Sequence, residues 1–334
     1  MPQKQTPKRH FQQIDVLKGL AIIAVIILHS LSKDELRQSF AIFHIWQAVP
    51  VFMVLMGLNL GLSLKPVPFT SLYTKVYFSK KATRLLIPFL VVFVISIPLG
   101  ILWQQLFARD VLEFSEYTLI GVLPVSGRGN YFITLLLQSI LVLPILGYFF
   151  SKRPVLTTIG LVALEVAFLL LSKQYSWFDE KGYLYSAALP RYFSALAYGL
   201  WLAKAFTQPF NWRVVVPFLM LGLIGAVYLY VAATMQLDID PVYDSWEMQN
   251  VISFGYAALL ILVGFYTLPA ASKNPILTIL AALGQASYHI FLVQVLYFGL
   301  ASENKYLLLN LPVCLAIGYL FYRLETWGTG KYFG

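Results

Sequence analysis

The chain has 334 residues, of which 59% are hydrophobic and only 12% are charged, and its mean hydropathy is +0.73. Soluble globular domains are about 25% charged, so this composition excludes a soluble domain and leaves a polytopic membrane protein. The net charge of +9 does not point to a nucleic-acid partner, because the basic residues lie between apolar runs, where membrane topology places them.

The first apolar run follows Lys4, Lys8 and Arg9, as in a signal peptide. No small-residue cleavage site follows it and further runs come after, so it reads as an uncleaved first helix. A span needs about 20 mostly apolar residues. On that rule the chain predicts an all-α transmembrane bundle of about ten helices, near 14–31, 41–64, 84–107, 131–150, 154–172, 184–206, 213–234, 250–269, 275–300 and 305–323. A cytoplasmic tail at 1–13, a membrane domain at 14–323 and a cytoplasmic tail at 324–334 complete the expected organisation. The single cysteine, Cys314, excludes an intrachain disulfide and reads as a small apolar filler on a helix.

Charge orients this arrangement. With the N-terminus inside, the inner segments collect Lys4, Lys8 and Arg9, then Lys65, Lys75, Lys80, Lys81 and Arg84, then Lys152, Arg153, Lys204, Arg213, Lys273, Arg323 and Lys331. The outer loops hold Lys33, Arg37, Arg109, Arg128, Lys173, Lys181 and Lys305, about half as many. Most acidic residues fall in the outer loops, among them Asp238, Asp240, Asp244, Glu247 and Glu303.

Ionisable residues at membrane depth are costly and mark candidate sites. Lys18 and His29 in the first span are eleven positions apart. At 100° per residue they lie within about 20° of each other on one helix face, about 16 Å apart along the axis. Lys18 then sits near the inner surface, with Asp15 one turn away as a partner, and His29 near the outer third. Glu165 and Arg191 fall at similar depth in adjacent antiparallel spans, as an ion pair would. Gln138, His44, Asn59, Gln285, His289 and Gln294 are the other polar residues of the spans. The basic stretch Lys75, Lys80, Lys81 and Arg84 precedes Pro88 at the start of the third span. It reads either as topology and anionic-lipid contact or as a site for a phosphate-rich ligand, since a helix start adds backbone N–H groups to anion binding.

Several motifs together carry a resemblance. Ile14-Asp15-Val16-Leu17-Lys18-Gly19-Leu20-Ala21-Ile22 followed by His29, Val51-Phe52-Met53-Val54-Leu55-Met56-Gly57, Lys81-Ala82-Thr83-Arg84, Tyr131-Phe132-Ile133 through Gln138 to Pro144, and Leu283-Gly284-Gln285-Ala286-Ser287-Tyr288 occur in that order over nearly the whole chain. In this the chain resembles acyltransferase family 3, which includes membrane O-acyltransferases that acetylate polysaccharides. Lys18 stands where that family commonly has arginine, Met56 where it has serine, and Leu136 where many members have glutamate.

The resemblance implies transfer of an acyl group, commonly acetyl from acetyl-CoA, to a sugar hydroxyl. It also implies a stand-alone form, the chain ending at Gly334 soon after the last span. The residues suit that chemistry. Lys80, Lys81, Arg84 and Lys18 face a cytoplasmic polyanionic donor, and His29 points toward an acceptor outside, a glycan or lipid-linked sugar. An imidazole can act as general base near neutral pH or as an acyl-accepting nucleophile. His44 and His289 are the other histidines of the spans. No metal is expected, and the expected partners are acyl-CoA, the acceptor and membrane lipids, in the plasma membrane with both termini cytoplasmic. The rival reading is a transporter or flippase of a lipid-linked sugar. Such proteins often carry inverted repeats, and none is visible here.

Overall fold

A computed structural model describes residues 11–65, 67–178, 182–235, 249–301 and 306–333. The expected tail residues Lys4, Lys8 and Arg9, and the outer-loop residues Lys181, Asp238, Asp240, Asp244, Glu247, Glu303 and Lys305, lie outside these. The described chain is helical, with no strand: α1 (Gln12–Ser30), α2 (Lys33–Gln38), α3 (Ala48–Ser63), α4 (Lys75–Lys81), α5 (Ile87–Phe107), α6 (Tyr131–Lys152), α7 (Pro154–Ser172), α8 (Tyr183–Ala187), α9 (Phe193–Thr207), α10 (Trp212–Met235), α11 (Ser253–Thr267), α12 (Pro275–Gln285), α13 (Ser287–Leu300) and α14 (Leu307–Phe333).

Among the described residues seven helical stretches are long and apolar enough to cross a membrane, and an eighth is reached if α12 and α13, bent by 69°, count as one span. The chain is thus a polytopic helical bundle, with fewer full-length spans than the ten expected. The shortfall has local causes. Within the expected span at 184–206, Pro190 supplies no N–H and its ring opposes continuation. The chain there splits into α8, a 3₁₀ turn at Leu189–Tyr192, and α9 of 15 residues. The expected span at 250–269 begins late, at Ser253, after a turn in which the Asn250 side chain accepts from the N–H groups of Ile252 and Ser253. It is left with 15 residues, about 22 Å of helix against a hydrocarbon core of about 30 Å. At the C-terminus α14 runs on past residue 323, where the last span was expected to end.

The centre of the bundle is α3 crossing α9. Gly57 and Gly199 make that approach possible: a Cβ on Gly57 would meet the Leu196 carbonyl oxygen at 2.2 Å, and one on Gly199 the Val54 carbonyl oxygen at 2.0 Å. Small residues let helices approach backbone to backbone where lipid supplies no hydrophobic drive. Around this crossing Met53, Leu55, Leu58, Leu196, Tyr192 and Phe254 are fully buried. The outer faces of α5, α7 and α10 expose Leu, Val and Ile instead, as surfaces facing lipid do.

The break between α8 and α9 shows how polar groups inside such a bundle are satisfied. Gln138 of α6 donates to the Ala187 carbonyl (2.7 Å) and accepts from the Leu189 N–H (3.1 Å). Glu165 of α7 accepts from the Ser194 N–H at 2.7 Å. Broken membrane helices persist where neighbouring helices satisfy the freed backbone groups in this way.

Candidate functional site

A cavity of about 880 Å³ is walled by α1, α3, α4, the turn that follows α4, α6 and α13. Five of the singled-out residues line it together: Lys18, His29, Lys80, Lys81 and Arg84. Helical periodicity in α1 is the reason Lys18 and His29 share it, because eleven residues bring the helix back to the same face. Between the two lie apolar walls from Leu55, Met56, Leu60, Phe132 and Leu136, and Asn59 also faces in.

The basic end combines three elements. Lys80 and Lys81 close α4, and Arg84 sits in a five-residue π-helical turn, Ala82–Leu86, that joins α4 to α5. π turns are rare and often occur at functional sites. Arg84 lies within electrostatic reach of both Lys18 and Lys81, so like charges crowd one mouth. The carboxylate of Asp15 offsets part of this, 3.6 Å from the Lys18 ammonium. Asp15 is itself held by Gln285, whose amide donates to it at 3.1 Å. Asp15 therefore serves Lys18 and the α1–α12 contact, one end of the helix away from His29.

The other end is made by backbone shape. His29 packs edge-on against Phe298, with ring centroids 5.8 Å apart. Beside it runs the loop into α6, where Gly129 has a φ of +86°, a conformation that L side chains rarely adopt. A Cβ on Gly129 would stand 3.2 Å from His29 Nε2 and 3.5 Å from the Phe291 ring. The loop is tied down on both sides: Arg128 donates to the His29 carbonyl at 3.3 Å, and Gln294 donates to the Arg128 carbonyl at 3.0 Å. Asn130 is buried next to it, and neither of its amide atoms has a hydrogen-bond partner. Among the described residues no hydrogen bond reaches the His29 ring, so both nitrogens are available to a ligand.

The remaining candidates lie elsewhere. Gln138 and Glu165 repair the α8–α9 break. Arg191 stacks on the ring of Tyr185 (4.4 Å to its centroid) and lies over Tyr192 (5.6 Å). Glu165 and Arg191 attract each other electrostatically, but the carboxylate bonds to the Ser194 N–H, and its second oxygen has no hydrogen-bond partner. One carboxylate oxygen of the expected ion pair is thus engaged by an N–H group of the first turn of α9, just after the Pro190 break. His289 is buried, 3.4 Å from Glu325, between Phe321 and Tyr322. His44 is exposed and bonded to the Ser39 carbonyl at 2.8 Å. Neither lines the cavity.

The sequence showed Arg128 only as an outer-loop charge and Tyr288 only within a motif, and it gave no role to Gly129, Asn130 or Tyr77. The run Gly127-Arg128-Gly129-Asn130 was a usable signal, since paired glycines in a loop mark tight backbone. The tyrosines blended into an aromatic content expected at membrane interfaces. Among the described residues no group of His, Cys, Asp and Glu has the makings of a metal site.

Comparison with protein-family models matches residues 11–329 to acyltransferase family 3, described as an acyltransferase domain. No curated protein and no solved structure matches the chain. With a match over nearly its whole length and a bundle of membrane-crossing helices, the chain belongs to acyltransferase family 3 and is a membrane acyltransferase.

Proposed function

We propose that the protein moves an acyl group, acetyl in the first instance, from acyl-CoA at the cytoplasmic face to a hydroxyl of a glycan or lipid-linked sugar outside the plasma membrane. The observation that carries this reading is one cavity with crowded cations at one end and, at the other, a histidine whose ring takes no hydrogen bond among the described residues. The Lys and Arg bias of the loops supports a cytoplasmic basic end and both termini inside.

The residues fit an acyl-CoA. Clustered like charges are relieved by a polyanion, and Lys81, Arg84 and Lys80 offer charge-assisted hydrogen bonds to phosphate oxygens. The apolar throat takes a slender thioester arm, and Lys18, balanced by Asp15, guards its entrance. His29 takes the proton of the acceptor hydroxyl as that oxygen bonds to the thioester carbonyl carbon. The carbon–sulfur bond then breaks, and His29 returns the proton to the leaving thiolate. General-base catalysis of this kind is worth about 10²–10⁴ in rate.

Incubating purified protein with radiolabelled acetyl-CoA and a panel of sugars tests the proposal. Labelled sugar ester with release of free CoA is the expected result. Absence of acyl-CoA binding by calorimetry, together with passage of a sugar through reconstituted vesicles, would replace it with the transporter reading.

A further inference from the structure

Tyrosine hydroxyls hold the segment that carries the basic residues. Pro144 lies inside α6. Having no N–H, it leaves the carbonyl four residues earlier, that of Ile140, without its in-helix donor. Tyr77 fills that vacancy: its hydroxyl donates to the Ile140 carbonyl at 2.6 Å. Tyr73 adds a second such bond, to the Leu141 carbonyl. On the other side, Tyr288 of α13 donates to the Leu85 carbonyl at 3.0 Å, within the π-helical turn that contains Arg84. Tyr77 and Tyr288 both line the cavity, and the Lys81 ammonium lies 5.6 Å from the centre of the Tyr77 ring.

These bonds matter because little else fixes α4. It is short and mostly exposed, and it enters α5 through a turn whose hydrogen bonding is irregular. Without attachment, Lys81 and Arg84 would sample orientations away from the mouth, and a ligand would have to order them on binding. We propose that Tyr77, together with Tyr288, is a positioning residue: the two hydroxyl-to-carbonyl clasps hold α4 and the π turn so that Lys81 and Arg84 face the cavity. The inference rests on the acyl-CoA reading and deepens it. It makes Pro144 of α6 part of the donor site, since its missing N–H frees the acceptor that Tyr77 uses.

The test is Tyr77→Phe in the full-length protein, with Tyr288→Phe as a second variant should the first fold poorly. Loss of one such bond should raise the KM for acyl-CoA about five- to tenfold. It should leave kcat and the acceptor KM within about twofold. Hydrogen exchange, read without any ligand, should quicken at the amides of 75–86. In a Pro144→Ala background, Ile140 regains an in-helix donor, and adding Tyr77→Phe should then change KM less than it does in the wild type. Unchanged exchange at 75–86 with unchanged KM would overturn the clasp. A fall in kcat at constant KM would also overturn it, by putting Tyr77 in the chemistry. Quickened exchange in a protein whose wild type binds no acyl-CoA would reject the acyl-CoA reading and the positioning role with it.

Discussion

In the proposed orientation, Lys80, Lys81 and Arg84 stand at the inner end of the cavity, on an exposed helix and a π turn. At the outer end His29 stands against the backbone of Gly129 and the ring of Phe298. The first end works through charge on long, flexible side chains, so its energy is spread over several groups and is screened by salt. The second works through shape, with one imidazole in a gap that a single methyl group would enter. Substitution should therefore be graded in its effect at the inner end and abrupt at the outer one.

His29→Ala should break the outer end most completely. Loss of a general base costs about 10²–10⁴ in turnover, and acyl-CoA affinity should stay within about twofold because the phosphate contacts are distant. Labelled-product assays and calorimetry read the two quantities separately. Should CoA affinity fall with turnover, the two ends would not be independent.

Gly129→Ala should come next. A left-handed conformation costs an alanine about 1–2 kcal/mol, and its methyl group would lie 3.2 Å from His29 Nε2. Turnover should drop about tenfold or more while the protein remains folded. Near wild-type turnover would show that the gap beside His29 is not used.

At the inner end, changing both Lys81 and Arg84 to alanine should raise the Kd for CoA about tenfold to a hundredfold and flatten its dependence on salt. Each single change should do correspondingly less. An all-or-none loss from either one alone would contradict the graded picture.

The smallest effect on activity should come from the polar residues outside the cavity. Gln138→Leu strands the Ala187 carbonyl and the Leu189 N–H, which should cost about 1–3 kcal/mol of stability. The melting temperature in detergent should fall, and turnover at low temperature should hold. A selective loss of activity with unchanged melting would bring Gln138 back to the site.

These contrasts follow what a sequence can and cannot express. Lys18 and His29 were legible because helical periodicity alone decides that they share a face, and α1 is a regular helix. Lys80, Lys81 and Arg84 were legible as a charge cluster, although the π turn that carries Arg84 has no compositional mark. The depth match of Glu165 and Arg191 was sound arithmetic for an unbroken helix. Pro190 was visible too, yet which freed N–H would capture the carboxylate depends on how α7 meets α9. Ten spans were expected and seven or eight full-length crossings stand among the described residues, because hydropathy does not register the Pro190 break or the Asn250 turn. Gly129 and Tyr77 act through contacts with distant segments, and no local pattern announces such partners.

Whether one cavity joins a donor on the inner face to an acceptor on the outer face can be read in sided vesicles. Radiolabelled acetyl-CoA is sealed inside membrane vesicles of the cytoplasm-in orientation, and a membrane-impermeant sugar acceptor is supplied outside. Labelled sugar should appear outside for the wild-type protein and not for His29→Ala. Labelling only when donor and acceptor share a compartment, or equal labelling in His29→Ala, would contradict such a joining of the two faces.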